Sequence, residues 1–214
     1  MLLSLSALAP LRGEPSFQLT PAGVACRLGD RGTFVLGIPA LDGRNTHAAP
    51  LPASIETDGL KLTAGFGPPF AGVTLRMRVL DEKRVEYAYA NLPGDVRLVM
   101  CQFNIPQASI IEGLTVAFDQ RSPVVIPVAA GKTGKDVRLA GANAQKLAIK
   151  WPSGDALSVT TPKPCWHGVQ DVRVWGKPFV GVCLTPSLTR DHEGGDSATF
   201  VMTFDVMPAS TMKD

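Results

Sequence analysis

The stretch GVTLRMRVLDEKRVEYAYA, residues 72–90, predicts the fold of the chain. Apolar and polar residues alternate on both sides of the charged triplet at 81–83, and a period of two is typical of a β-strand with one buried face. The apolar positions are Val73, Leu75, Met77 and Val79 before the triplet and Val85, Tyr87 and Tyr89 after it. The stretch therefore predicts an antiparallel hairpin with one buried and one solvated face.

The same rhythm recurs along most of the chain. KLAIKW at 146–151 and ATFVMTFDV at 198–206 alternate, whereas VRLVMCQF at 96–103 and FVGVCL at 179–184 are apolar on both faces, as central strands are. The 21 glycines and 18 prolines are spread between these runs, where turns are expected. The pattern predicts an all-β fold, a two-sheet antiparallel β-sandwich of the jelly-roll or supersandwich type, with residues 15–214 as a single domain.

Composition excludes several classes of partner. The 21 basic and 19 acidic residues give a formal charge of +2, which provides no broad field to attract nucleic acid. No apolar run is long enough for a membrane-spanning helix, so no membrane insertion is expected. No motif indicates a cofactor, and the four cysteines include no Cys-x-x-Cys pair that would indicate a structural metal site.

The cysteines and the N-terminus each leave alternatives open. Cys26, Cys101 and Cys183 lie in apolar strand-like runs and are expected to be buried free thiols, while a disulfide between Cys165 and Cys183 would form only in an oxidising compartment. Residues 1–14 are interpreted either as the remnant of a secretory signal, with its small-residue triplet at 7–9, or as an N-terminal strand. A signal would make the protein secreted or periplasmic.

The stretch CWHGVQDVRVWGKPF, residues 165–179, concentrates more chemically capable side chains than any other. If residues 169–176 form a strand, alternation places Asp171, Arg173 and Trp175 on one face. An indole beside a guanidinium and a carboxylate suits sugar recognition, and Trp166 and His167 would lie at the rim. The alternative is structural: Trp175 covers an edge of the core and Asp171 pairs with Arg173.

A catalytic role would use some of the same residues. His167 or Tyr87 would act as the base in a β-elimination on a uronic acid, and Arg173 or Lys163 would neutralise the substrate carboxylate. A polysaccharide lyase, which would use His167 or Tyr87 with Arg173, is favoured over a glycoside hydrolase. A hydrolase needs two carboxylates at a set separation across the sugar, and the sequence does not give that distance.

Four stretches carry a resemblance to a known group of folds. They are FQLTPAGVACRLGDRGTFVLGIPAL at 17–41, VEYAYANLPGDVRLVMCQFNIP at 85–106, VQDVRVWGKPFVGVCLTP at 169–186 and ATFVMTFDV at 198–206. Together they resemble the galactose-mutarotase-like supersandwich and the β-sandwich domains of bacterial polysaccharide lyases and glycoside hydrolases. The resemblance implies a carbohydrate-handling sandwich, although such folds host binding modules as well as enzymes.

Three hypotheses of function follow. The first is a polysaccharide-binding or accessory module of a carbohydrate-degrading system, with a polysaccharide or oligosaccharide as its partner. The second is a small carbohydrate-active enzyme, and the third is a structural or assembly protein whose sandwich packs against partners through its edges. The glycan and the oligomeric state are left open by the sequence.

Overall fold

The computed structural model describes residues 17–28, 32–42, 47–52, 54–55, 59–96, 98–131, 137–193 and 195–207. Residues 1–14, interpreted above as a signal remnant or a first strand, lie outside the described residues. Within the described part of the chain the structure is all-β, and its helical segments are the short 3₁₀ helices Gln107–Ser109 and Val172–Trp175.

The described residues include sixteen strands. They are β1 (Phe17–Thr20), β2 (Gly23–Arg27), β3 (Thr33–Gly37), β4 (Ala40–Asp42), β5 (His47–Ala48), β6 (Ser54–Ile55), β7 (Lys61–Gly65), β8 (Thr74–Val79), β9 (Arg84–Ala90), β10 (Leu98–Pro106), β11 (Thr115–Phe118), β12 (Val124–Val125), β13 (Arg138–Lys150), β14 (Ala156–Gln170), β15 (Phe179–Thr185) and β16 (Ala198–Met207). All pairings between them are antiparallel.

The hairpin predicted over 72–90 is confirmed as β8 and β9, whose register aligns Val79 with Val85. Asp81 organises the turn, because its Oδ1 accepts hydrogen bonds from the backbone amides of Lys83 (2.9 Å) and Arg84 (2.8 Å). Every apolar position before and after the turn is buried except Val79, which is partly buried against the core. The alternation therefore predicted correctly which residues of this hairpin are buried.

The two halves of the sandwich are joined by the long hairpin of β13 and β14. The first part of β14, Ala156–Thr160, pairs with β16, and its last part, Trp166–Gln170, pairs with β15. Between these parts lie Pro162 and Pro164, and a proline removes a donor from the ladder. One half thus runs β1-β2-β3-β10-β15 to the end of β14, and the other runs from the start of β14 through β16-β9-β8-β7-β6.

Aromatic contacts show that the two halves face each other. The ring of Phe17 on β1 lies 5.3 Å from that of Phe204 on β16, and the ring of Phe34 on β3 lies 5.1 Å from that of Trp151, which follows β13. Strand β1 also contacts β7, so the outer strands of the halves approach one another. The predicted all-β sandwich of the supersandwich type is confirmed.

The cysteine predictions can be compared with their positions. Cys26, Cys101 and Cys183 are buried free thiols, as expected, and burial raises the pKa of the Cys26 thiol to about 12. Cys165 is also free: its Sγ lies 3.7 Å from Oγ1 of Thr161, while the Sγ of Cys183 lies 3.7 Å from Oε1 of Gln102. Cys165 lies with the inward residues of β14, and Cys183 is opposite Gly168 on the outward side, so they are not placed to form a disulfide.

We expect Phe204→Ala to lower the free energy of unfolding by about 3–5 kcal/mol, because it removes a fully buried ring that bridges the two halves. Urea denaturation followed by circular dichroism measures the loss. Val125→Ala is the control: its side chain is 59% exposed, and the change should stay within about 0.5 kcal/mol. Equal effects of the two substitutions would contradict the assignment of Phe204 to the inter-sheet core.

Candidate functional site

The strand predicted over 169–176 is wrong in its second half. Strand β14 ends at Gln170, Asp171 caps the 3₁₀ helix Val172–Trp175, and Gly176 closes it with φ of 75°. The carboxylate of Asp171 accepts a hydrogen bond from the backbone N–H of Arg173 at 3.3 Å, a local contact that competes with strand pairing. Asp171, Arg173 and Trp175 therefore do not share the face of one strand.

Asp171 and Arg173 form a buried ion pair instead. The Nε of Arg173 lies 2.7 Å from Oδ1 of Asp171 and its Nη2 lies 2.8 Å from Oδ2, and the two side chains are 3% and 0% exposed. The hydrogen bonds from Arg173 are the main cause that lowers the pKa of Asp171, and burial acts against them. Asp171 thus pairs with Arg173, which is the structural alternative given in the sequence analysis.

The remaining donors of Arg173 hold the chain at 127–129. Nη1 donates to Oε1 of Gln107 (2.8 Å) and to the carbonyl of Val128 (2.8 Å), and Nη2 donates to the carbonyls of Pro127 (2.9 Å) and Ala129 (3.2 Å). All five N–H groups of the guanidinium can thus be satisfied within the protein. The observed role of Arg173 is to anchor this segment to the end of the sheet, with no donor left for a sugar.

His167 is fully buried on the inward side of β14. Its Nε2 lies 2.8 Å from the carbonyl oxygen of Ala144, so Nε2 carries the hydrogen, and 3.4 Å from Sγ of Cys165. Burial is the main cause that lowers the pKa of His167, so the imidazole is uncharged at neutral pH. His167 therefore does not lie at the rim of an exposed face, contrary to the prediction.

Tyr87 is fully buried in the other half of the sandwich. Its ring stacks on Phe200 at 4.9 Å between centroids, and burial raises the pKa of the phenol well above its usual value. The three residues suggested for catalysis, His167, Tyr87 and Arg173, lie on three different elements, and each is buried. The structure does not bring them to a common surface.

Trp166 is the predicted site residue that lies on an outward face beside other polar side chains. A Cβ atom built on Gly168 would lie 2.0 Å from Cη2 of its indole, and one on Gly141 would lie 3.5 Å from Cζ2. Gly168 and Gly141 are directly opposite each other on β14 and β13. The half-buried indole thus lies over Gly168, where any side chain would collide with it, and at ordinary contact distance from the position of a Cβ on Gly141.

Polar side chains lie on the same outward face as this indole, on β13, β14 and β10. One row of the sheet places Arg138 opposite Gln170, Gln170 opposite Gly181, and Gly181 opposite Asn104. Gln102 lies in the next row, and its Nε2 donates to Oδ1 of Asn104 at 2.6 Å. We call the outward side chains of Gln102, Asn104, Arg138, Trp166 and Gln170 the platform face. From Arg138 to Asn104 it spans three strand spacings, about 14 Å.

Trp175, by contrast, is 61% exposed on the short helix that follows β14. It is the most exposed large apolar side chain of the described residues. Its part in ligand binding stays a prediction, now as a residue separate from Asp171 and Arg173.

Four residues of the platform face were missed by the sequence analysis. Gln102 and Asn104 alternate with Cys101, Phe103 and Ile105, but the run around them was interpreted as apolar on both faces. Glycines inside strands are a signal of close approach, and Gly168 could have indicated that something lies over it. The sequence could not have shown that Gly141 and Arg138 lie beside Trp166, because that proximity depends on the register between β13 and β14.

The described residues contain neither a metal-binding cluster nor a membrane-spanning helix. Within them no group of three or more His, Cys, Asp or Glu side chains is placed to hold a metal ion. No helix in the described part of the chain has the length and apolar character needed to cross a membrane.

Comparison with known proteins identifies a shared fold. No protein-family model matches the sequence, and no curated protein is similar to it at a significant level. The ligand-free α-N-acetylgalactosaminidase NagBb from Bifidobacterium bifidum matches with a TM-score of 0.54 and 11% identity, over 90% of this chain and 34% of that one. Its GalNAc complex matches with a TM-score of 0.50 and 13% identity, over 89% and 36%.

A proposed aldose 1-epimerase from Escherichia coli K12 matches with a TM-score of 0.42 and 13% identity, over 88% of this chain and 82% of that one. The fold comparison rests on the two NagBb structures, of which this chain spans about a third. The resemblance of the sequence to galactose-mutarotase-like sandwich domains is confirmed at the level of the fold.

We expect Asp171→Asn to lower the free energy of unfolding at pH 7 by about 3–5 kcal/mol, because it leaves the buried guanidinium without its counter-charge. The pKa of Asp171 is lowered by folding, so its contribution is present above the ordinary carboxylate pKa of about 3.9 and is lost as pH falls through the lower folded value. Urea denaturation at pH 7 and pH 3 should show a smaller acid-induced loss in the variant than in the unmodified protein.

The exposed Glu112→Gln is the control for that experiment, and its stability at pH 7 should change by less than about 0.5 kcal/mol. An acid-induced loss of the same size in Asp171→Asn and in the unmodified protein would show that Asp171 does not contribute through its charge.

We expect Gly168→Ala to displace the indole of Trp166, because the new methyl group would lie 2.0 Å from Cη2. In a Trp175→Phe background, acrylamide quenching of tryptophan fluorescence should increase, since Trp151 is buried and Trp166 reports the change. Gly94→Ala is the matched control, because a Cβ there meets nothing within 4 Å. Unchanged quenching in Gly168→Ala would contradict the contact between the indole and the glycine pair.

Proposed function

We propose that this chain is a non-catalytic carbohydrate-binding module that holds a polysaccharide or oligosaccharide on the platform face. It would act as an accessory part of a carbohydrate-degrading system, positioning the glycan while another protein or domain carries out the reaction. The proposal makes Trp166 the residue on which a sugar ring packs and assigns hydroxyl recognition to the neighbouring amides.

The observation that carries the proposal is the seating of Trp166 on a glycine pair. An indole on an outward sheet face, held by backbone beneath it, offers a rigid apolar surface to the C–H face of a pyranose. Gln170 on β14 and Gln102 and Asn104 on β10, which are separated by β15, carry amide groups that both donate and accept hydrogen bonds. A few placed polar groups around an apolar surface are the usual composition of a small-ligand site.

The fold supports the proposal by analogy. A domain of similar fold occurs within an α-N-acetylgalactosaminidase, and one structure of that enzyme is a GalNAc complex. This chain spans about a third of that enzyme. Fold likeness alone does not assign function, so the platform face carries the argument.

A lyase or hydrolase has less support from the same observations. A general base must come within hydrogen-bond distance of the proton that it removes. His167 is buried and uncharged, and the phenol of Tyr87 is buried among aromatic rings with a raised pKa. We therefore favour binding without turnover.

We expect Trp166→Ala to weaken glycan binding about tenfold or more, because it removes the apolar surface on which the sugar packs. A glycan array identifies ligands of the unmodified protein, and isothermal titration calorimetry then measures the dissociation constant for each variant. Trp175→Ala is the matched variant, since it removes an indole that is more exposed but lies on a different element. The proposal places the site on Trp166 in place of the Trp175 suggested by the sequence, so Trp175→Ala should bind like the unmodified protein, and neither variant should release product.

Three outcomes would contradict the proposal. Loss of binding in Trp175→Ala but not in Trp166→Ala would move the site to the helix after β14. Release of unsaturated uronate or of reducing sugar would establish an enzyme. No binding on the array by a protein that elutes as a defined oligomer would favour the structural or assembly role.

A further inference from the structure

Arg138 is an exposed cation beside the indole of Trp166. Its guanidinium carbon lies 5.4 Å from the centre of the Trp166 ring, within the range of a cation–π contact. It stands at the start of β13, directly opposite Gln170. It forms no ion pair with any residue that the structure describes, so its charge is not neutralised by a carboxylate there.

The strands around Arg138 carry no negative charge. Strands β1, β2, β3, β10 and β15, the first seven residues of β13 and the last six of β14 contain no aspartate or glutamate. In the other half, Glu86 on β9 pairs with Arg78 at 3.1 Å and Asp205 on β16 pairs with Lys83 at 3.1 Å. In the half that bears the platform face, Asp42 lies on β4 beside Leu98 of β10, and Asp171 is paired with Arg173, so the strands next to Arg138 offer it no carboxylate partner.

A sugar that packs on the outer side of the Trp166 indole competes with the guanidinium for that position. A neutral sugar displaces the guanidinium and gives it no new charged partner. A sugar with a carboxylate or sulfate group can accept two parallel, charge-assisted hydrogen bonds from the displaced guanidinium. The arrangement therefore discriminates between sugars by charge as well as by shape.

We propose that the ligand of the platform face is an acidic glycan, and that Arg138 binds its acidic group, a uronate carboxylate or a sulfate ester. This inference rests on the glycan-binding role proposed above and names the class of glycan. Binding is then expected to weaken as salt is added, because an exposed pair of opposite charges is screened.

The experiment is isothermal titration calorimetry of the full chain with three oligosaccharides of matched length. They are an oligogalacturonide, the same oligomer after its carboxyl groups are reduced to alcohols, and a sulfated galactan oligosaccharide. We expect at least one acidic oligomer to bind about tenfold more tightly than the reduced one, as hydrogen bonds to charged groups commonly allow. The two acidic oligomers distinguish the carboxylate from the sulfate ester.

Variants then assign the preference to one residue. Arg138→Gln should abolish the preference for the acidic oligomer without weakening binding of the reduced oligomer, because it removes the cation that competes for the ring, and Arg138→Lys should retain part of the preference. Arg76→Gln is the matched control, since it removes an exposed arginine from β8 in the other half and should leave the preference unchanged.

The outcomes separate the two proposals. Equal binding of acidic and reduced oligomers, or loss of the preference in Arg76→Gln as in Arg138→Gln, would overturn the acidic-glycan inference and leave the glycan-binding module intact. If no glycan on the array or in the titrations binds, the module itself fails and the inference fails with it.

Discussion

The pairing of β13 with β14 is the constraint on which both halves of the sandwich depend. A single hairpin of 13 and 15 residues crosses from one half to the other, and two prolines mark the crossing on β14. On one side of the crossing β14 recruits β16, and on the other it recruits β15. The same register sets Gly141 against Gly168, so the seating of Trp166 follows from the pairing that holds the sheets together.

The buried pair of Asp171 and Arg173 shows why charge can be kept inside a small sandwich. Removing two charges from water costs several kcal/mol, and a pair of apolar residues can be as stable. The guanidinium, however, reaches three consecutive carbonyls at 127–129 that would otherwise lack partners among the strands. An apolar substitute would leave Val128 held by the Nε2 of Gln107 at 3.1 Å but would remove the hydrogen bonds to Pro127 and Ala129, so the pair fixes the position of this segment.

Local patterns were predictable from sequence, and cross-strand positions were not. The hairpin of β8 and β9 was predicted because its alternation and its Asp81 turn are both local. The alternation of Val169 to Trp175 predicted a strand. The pattern does not show that the carboxylate of Asp171 accepts a hydrogen bond from the backbone N–H of Arg173, which is the contact that begins a 3₁₀ helix instead. Trp166 was selected for its type, but its neighbour Gly141 is 25 positions away and adjacent only through the register.

The glycine pair beneath Trp166 has a consequence for recognising distant relatives. Because the ring rests on bare backbone, an aromatic residue can take this pose only where the position two residues later in the same strand lacks a side chain. Aromatic-x-Gly within one strand is therefore a signature that could be sought where overall identity has fallen near one residue in ten. A chain that keeps the aromatic ring but fills the position of Gly168 would have to hold that ring elsewhere, and its surface would present a different shape to a ligand.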